Sequence, residues 1–209
     1  MNNHHARVLA VTVYGAACAL AFAACGNPAV DVKIEQLGGE NPNVEPSELH
    51  RPGQPCVLCH SEYEGADPGM SLGGTVFADQ LALLPVEGAE VVMTDTRGIT
   101  VSVKTNCVGN FYVPSGAWDD KYADPQFPLA AEIRCPTYDE AGQLILDEAG
   151  APVVRVKSMG SVIARDGSCA SCHTASVHGL ESTGRIFCNA PGETNPFPPI
   201  SADCKGEIR

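Results

Sequence analysis

The chain has 209 residues, of which 25 are acidic and 13 basic, and its net charge is −12 at pH 7. Nucleic-acid phosphates and anionic membrane surfaces repel so acidic a chain, which argues against an electrostatic binder of either. Ten cysteines make up an unusually large share of the sequence, so their arrangement is the first feature to explain.

Residues 1–24 are predicted to be a signal peptide, because a long uncharged stretch separates Arg7 from a run of small residues that ends before Cys25. The cysteine at this point resembles the lipidated first residue of bacterial lipoproteins, although Phe22 stands where that family usually has Leu. The resemblance implies export to the periplasm or cell surface and a lipid anchor on Cys25 in a bacterial membrane. Cleavage nearby without lipidation, or an uncleaved anchor, are the alternatives.

Residues 25–55 are predicted to be a flexible tether. This stretch contains five prolines and the pair Gly38-Gly39 but no aromatic residue. Such a composition buries little apolar surface and favours an extended chain.

The sequence contains two copies of one pentapeptide pattern, Cys56-Val57-Leu58-Cys59-His60 and Cys169-Ala170-Ser171-Cys172-His173. In a helical turn the first, fourth and fifth positions face the same side. Two thiols can therefore bond one porphyrin while the adjacent imidazole meets its iron, which is the pattern of covalent haem c attachment. The sequence predicts two haem c groups, with His60 and His173 as axial ligands, in segments 56–72 and 161–209.

Two other interpretations use the same cysteines. A zinc site requires four ligands, so it would need further donors or all four cysteines together. A thiol–disulfide redox pair usually lies in a βαβ unit, and the sequence shows none. The histidine that directly follows the second cysteine in both copies argues against each alternative.

Residues 73–160, between the two motifs, have the pattern of short strands. Apolar residues alternate with polar ones around Val101, Ile133 and Val156, and turn residues separate these stretches. About seven strands in fewer than ninety residues predict a mainly β fold, a β-sandwich flanked by short helical or loop segments. The further strands are expected at 74–79, 89–94, 110–113 and 143–146.

Residues 73–115 resemble the carboxypeptidase regulatory-like, transthyretin-like sandwich family. The resemblance rests on Gly74-Thr75-Val76, on the stretch from Pro85 to Val91, on Asp95-Thr96-Arg97-Gly98 and on Gly109-Asn110-Phe111. It implies a seven-stranded sandwich that serves as a binding or structural module, and it implies no catalytic residue. Cys107 departs from the family, which commonly has Asp or a small polar residue there.

Four cysteines are left after the leader and the two motifs, namely Cys107, Cys135, Cys188 and Cys204, and they allow three pairings. If the strand alternation continues, Cys107 and Cys135 both point into the sandwich core. We therefore expect the disulfides Cys107–Cys135 and Cys188–Cys204 in an exported chain.

Each haem also needs a second axial ligand or an open position. After the leader the chain has only two further histidines, His50 and His178, and these are the candidate distal ligands. His178 follows His173 too closely to reach the same iron easily, which favours crossed ligation, while His50 suits either haem. Met70 and Met159 are weaker candidates.

These features predict an exported dihaem c-type cytochrome that transfers single electrons between redox partner proteins and is an electron carrier rather than an enzyme. A dihaem peroxidase-like oxidoreductase and a surface binding or sensor module that carries haem are the alternatives. No catalytic residue and no contact with nucleic acid are expected.

Overall fold

The structure, a computed structural model, describes residues 27–61, 65–80, 83–174, 183–193 and 195–206. The described chain divides into two compact units, Met1–Gln36 and Leu37–Arg209. In the first unit, helix α1 spans Pro28–Gln36. The predicted signal peptide and Cys25 lie outside the described residues.

The second unit is built from two β-sheets. Its strands are β1 (Met70–Phe77), β2 (Glu90–Thr94), β3 (Thr100–Lys104), β4 (Asn110–Pro114), β5 (Ala130–Pro136), β6 (Val154–Ser158) and β7 (Ile186–Phe187). One sheet has the strand order β4-β1-β7 and the other β3-β2-β5-β6. The strands of each pair run antiparallel, except that β7 runs parallel to β1. The mainly β fold class predicted from the sequence is therefore confirmed.

The core lies between the two sheets, because successive residues of a strand point to opposite faces and each sheet turns its apolar face inward. Trp118, from the loop after β4, closes this core and is 2% exposed. Other large side chains that are almost completely buried include Leu72, Val76, Val86, Met93, Val108, Val113 and Leu129.

One predicted strand, 143–146, is not a regular strand in the structure. It takes part only in the single bridges Tyr138↔Leu144 and Leu146↔Pro152. A tight turn lies on each side, where the carboxylates of Asp139 and Asp147 accept backbone N–H groups two and four residues ahead. Only a few residues remain between these turns, so no ladder can extend.

Strand β7 is not predicted by the sequence, because it contains only two residues and therefore has no alternation to detect. It pairs with the end of β1, with Val76 opposite Ile186. Lys157 on β6 donates to the carbonyl oxygen of Phe187 at 2.9 Å and thereby links the two sheets. The sandwich thus includes residues from the segment expected to follow it.

The predicted disulfide pairing is wrong. The structure contains Cys107–Cys204 and Cys135–Cys188 instead of Cys107–Cys135 and Cys188–Cys204. Cys135 points into the core as expected, but β3 ends at Lys104 and a turn bonded by Asn106 follows, so the alternation does not continue to Cys107. Cys188 follows β7 and thus lies where it can reach β5.

The part of the chain that the structure describes contains no helix long and apolar enough to cross a membrane.

Candidate functional site

Both pentapeptide motifs pack against strand β1. Its central pair, Gly73-Gly74, makes room for them, because a side chain at either position would crowd a motif cysteine. A Cβ on Gly73 would lie 3.1 Å from Cβ of Cys56, and one on Gly74 would lie 2.8 Å from Cβ of Cys169. Adjacent strand residues face opposite sides, so the two first cysteines lie on opposite faces of the same strand.

The first motif forms one helical turn, α2, which spans Cys56–Cys59. The N–H of His60 closes this turn on the carbonyl oxygen of Cys56 at 3.0 Å. The chain then folds back, and the carbonyl oxygen of His60 accepts the N–H of Met70, the first residue of β1, at 2.7 Å. The motif is therefore attached directly to the sheet.

The second motif forms an equivalent turn, with a 3-10 helix over Cys169–Ser171 and the N–H of His173 bonded to Cys169 O at 2.9 Å. Gly167 accepts the N–H of Gly73 at 2.9 Å, and Ser168 forms a parallel bridge with Gly73. The chain thus pairs with β1 on both sides of this motif: through Ser168 just before it and through β7 after it.

The two motif histidines make the same kind of hydrogen bond. Nδ1 of His60 lies 2.8 Å from the carbonyl oxygen of Pro68, and Nδ1 of His173 lies 2.9 Å from that of Gly184. A carbonyl oxygen only accepts, so each Nδ1 carries the proton and each Nε2 keeps its lone pair. This is the arrangement by which a backbone carbonyl orients a metal-ligating imidazole.

The cysteines of the described chain fall into two groups. Those outside the motifs form disulfides, whereas the four motif cysteines, Cys56, Cys59, Cys169 and Cys172, form none. Burial raises the pKa of Cys56 to about 11 and that of Cys169 to about 12, and the neighbouring Cys56 and Asp166 add to the second shift. Redox-active CxxC pairs have a lowered thiol pKa instead, so these shifts argue against a thiol–disulfide redox site.

Among the described residues, no three His, Cys, Asp or Glu side chains come together as a metal-binding group, which is what a protein-only zinc site needs. Haem c makes a smaller demand, since each iron takes one or two protein ligands and each porphyrin two thiols. The donors present, two thiols and one oriented imidazole per motif, fit that demand. The residues that would hold the two groups are those of the two pentapeptides.

His50, a predicted distal ligand, lies beside the first motif. The ring centroids of His50 and His60 are 5.8 Å apart and their planes are tilted by 44°. Both rings line one open pocket together with the motif cysteines Cys56 and Cys59 and with Met70. His50 and Met70 are thus the two predicted distal donors that lie beside the first motif.

The other two candidate ligands are His178 and Met159. His178 lies outside the described residues. Met159 follows β6, where its N–H donates to the carbonyl oxygen of Ala131 at 2.9 Å. That position is in the four-stranded sheet, whereas both motifs pack on β1 of the other sheet.

The stretch expected to be a tether is fixed to the sandwich at its end. Buried Asn110 donates Nδ2 to the carbonyl oxygens of Glu48 and His50, at 3.2 and 2.9 Å. Gly53 donates its N–H to Oγ1 of Thr75 at 2.7 Å. From the sequence, Asn110 was noted only in the stretch Gly109-Asn110-Phe111 of the family resemblance and at the start of the expected strand 110–113, and nothing local to it indicates a partner 60 residues away.

Comparisons of this chain with protein-family models, curated proteins and solved structures each find no match. The transthyretin-like assignment of residues 73–115 therefore stays a prediction, while the two-sheet sandwich itself is observed.

Proposed function

We propose that this protein is an exported dihaem c-type cytochrome that passes single electrons between redox partner proteins. The observation that carries the proposal is that both CxxCH turns share one geometry. In each, the cysteines form no disulfide and Nδ1 of the histidine is hydrogen-bonded to a backbone carbonyl oxygen, so that Nε2 is the ring nitrogen left for a metal. Haem iron in such a site supplies one-electron redox chemistry at a potential set by its ligands and their hydrogen bonds.

The protein's own residues have separate roles in this proposal. Cys56 and Cys59 hold the first group and Cys169 and Cys172 the second, while Pro68 O and Gly184 O orient the two imidazoles. Because the first cysteines flank the single strand β1, the two groups would be neighbours. That proximity suits electron exchange within the molecule.

Location and partners follow from the sequence. A lipid anchor on Cys25 would keep the domain at a bacterial membrane surface, in the periplasm or outside the cell. The net charge of −12 favours redox partners with a basic docking surface. The β-sandwich serves as scaffold for both motifs.

The proposal is tested by producing the full chain together with a haem c maturation system and counting covalent haem by intact mass and by the alkaline pyridine spectrum. Two haems per chain are expected, with reversible reduction of both in a spectroelectrochemical titration. Replacing Cys56 and Cys59 by Ser should remove one haem, and replacing Cys169 and Cys172 should remove the other.

The matched control is the double variant Cys135→Ser with Cys188→Ser, which also removes two cysteines but should retain both haems. A chain that carries no covalent haem, when a known c-type cytochrome made in the same cells is fully loaded, contradicts the proposal.

A further inference from the structure

We infer that His50 is the second axial ligand of the iron held by the first motif, and that Asn110 is the residue that positions it. The inference rests on the proposed function and deepens it, because it makes the first site a closed bis-imidazole site. An external ligand would then find no open position on that iron.

The distance between the His50 and His60 rings suits a metal ion shared by both. Two imidazoles on one metal ion need two metal–nitrogen bonds of about 2 Å plus about 1 Å from each nitrogen to its ring centre, roughly 6 Å in all. The centroids of His50 and His60 lie 5.8 Å apart. The pair therefore already has the separation that a shared metal ion requires.

The two rings are also hydrogen-bonded in the same way, through Nδ1 to a backbone carbonyl oxygen. Nδ1 of His50 is bonded to the carbonyl oxygen of Ser47, just as Nδ1 of His60 is bonded to that of Pro68. Both rings thus carry their proton on Nδ1 and leave Nε2 as the lone-pair nitrogen.

The sandwich also holds the His50 backbone in place, through hydrogen bonds from Asn110. Asn110, the first residue of β4, pairs in register with Thr75 of β1, and its Oδ1 accepts the Thr75 hydroxyl at 2.7 Å. This bond fixes which end of the amide is the donor, so Nδ2 points at the carbonyl oxygens of Glu48 and His50. Asn106 makes a further bond to Glu48 O at 2.9 Å.

The backbone just beyond His50 is strained, which also requires fixed support. Arg51 has φ of +50°, a left-handed conformation that residues with a side chain seldom adopt. Its Nε donates to Oε1 of Gln54 at 2.6 Å and holds the turn closed. A turn held at His50, Arg51 and Gly53 presents the His50 ring in one place.

The experiment uses the full haem-loaded chain and reads the spin state by electron paramagnetic resonance and the binding of carbon monoxide to the reduced protein. In the unmodified protein the first haem should be low-spin and should not bind carbon monoxide. His50→Ala should convert one haem of the two to a form that binds carbon monoxide, whereas Met70→Leu should not. His50→Met should keep that haem low-spin and raise its reduction potential.

The positioning role of Asn110 is tested against Asn195, a second buried asparagine, which donates to the carbonyl oxygen of Pro136 and accepts the N–H of Tyr138. Asn110→Ala should increase carbon monoxide binding at one haem at least tenfold. Asn195→Ala should lower the unfolding midpoint without changing either spectrum. Identical spectra for the two variants would overturn the role of Asn110.

The two levels of the proposal fail in different ways. If the unmodified chain carries no covalent haem, the proposal that the protein is a cytochrome is contradicted. Two haems per chain with an unchanged His50→Ala spectrum contradicts only the ligand assignment, as does a Met70→Leu variant that opens the first haem. If Asn110→Ala does not fold, the His50 variants still decide whether His50 is the ligand.

Discussion

At the scale of single residues, small polar side chains fix the loops that surround the core. Asp95 is one such residue, with a side chain that is completely buried and paired with Arg97. Burial alone would raise the pKa of its carboxyl group, but hydrogen bonds from Arg97 and from the N–H groups of Gln126 and Ile99 lower that pKa to about 2. Asp95 therefore acts as the fixed centre of the turn after β2.

We predict that Asp95→Asn lowers stability at neutral pH and flattens its acid dependence. A carboxyl group whose pKa falls on folding stabilises the protein above its ordinary pKa of about 3.9 and loses that contribution as the pH falls towards 2. The melting temperature between pH 7 and pH 2 is the measurement. The exposed Asp120→Asn is the control and should follow the unmodified curve; a D95N curve with the same acid slope as that control would contradict the prediction.

The glycine pair of β1 gives a second residue-scale prediction. Gly74→Ala places a methyl group 2.8 Å from Cβ of Cys169 and 3.0 Å from the ring of Phe111, so one of them must shift. Overpacking of this kind typically lowers the free energy of unfolding by about 1–3 kcal/mol. Denaturant titration measures it, and a reduced haem content at the second motif is the accompanying effect.

Gly160 is the matched control for Gly74. Apart from its chain neighbours, no atom of the described residues lies within 4 Å of the position that its Cβ would occupy, so Gly160→Ala should change stability by less than about 0.5 kcal/mol. Equal effects of the two substitutions would show that the packing of Cys169 against β1 is not what the glycine provides.

At the scale of elements, β1 is the strand to which both motifs and both other strands of its sheet attach. It pairs with β4 on one side and with β7 on the other, and both motif turns pack on its glycine pair. The disulfide Cys135–Cys188 then attaches the chain that follows β7 to β5 of the opposite sheet. A strand of two residues is kept in place by this cross-link and by the Lys157 contact.

We predict that replacing Cys135 and Cys188 by Ala lowers the free energy of unfolding by about 4 kcal/mol, because the cross-link closes a loop of 53 residues. Amide exchange should increase most at β7, which loses its covalent attachment. In the unmodified protein, peptide mapping without reduction should recover Cys135 linked to Cys188 and Cys107 linked to Cys204. Recovery of Cys107 linked to Cys135 would contradict the observed pairing.

The regular strands were predictable because alternation is a local property of the sequence. It located the strands around Val101, Ile133 and Val156 correctly. It failed where the period was extended past the end of β3 to Cys107, and where a strand was as short as β7. Disulfide partners depend on how the two sheets close, which no local pattern contains.

The site was predictable to the same degree. The CxxCH spacing identifies its own thiols and histidine, because their contacts span one helical turn. The support of His50 by Asn110 joins residues 60 positions apart, and the seating of Cys169 on Gly74 joins residues 95 apart in number. Such contacts follow from strand register and were not visible in the sequence.

At the scale of the whole molecule, the sequence predicts a membrane-attached domain with an acidic surface. We predict that Cys25→Ser moves the protein from the membrane fraction to the soluble fraction and removes the lipid from its intact mass. Cys18→Ser, within the same leader, should leave both unchanged. A C25S protein that still sediments with membranes would contradict the lipid anchor.

The two disulfides are nested, since Cys107–Cys204 encloses Cys135–Cys188, and the inner loop encloses the second motif. After a single protease cut between Thr174 and Thr183, the two fragments would therefore stay linked by disulfides and run as one band on a non-reducing gel. After reduction the small C-terminal fragment would separate without haem, because both motifs precede the cut. After such a cut, the two disulfides alone would hold the fragments of the domain together covalently.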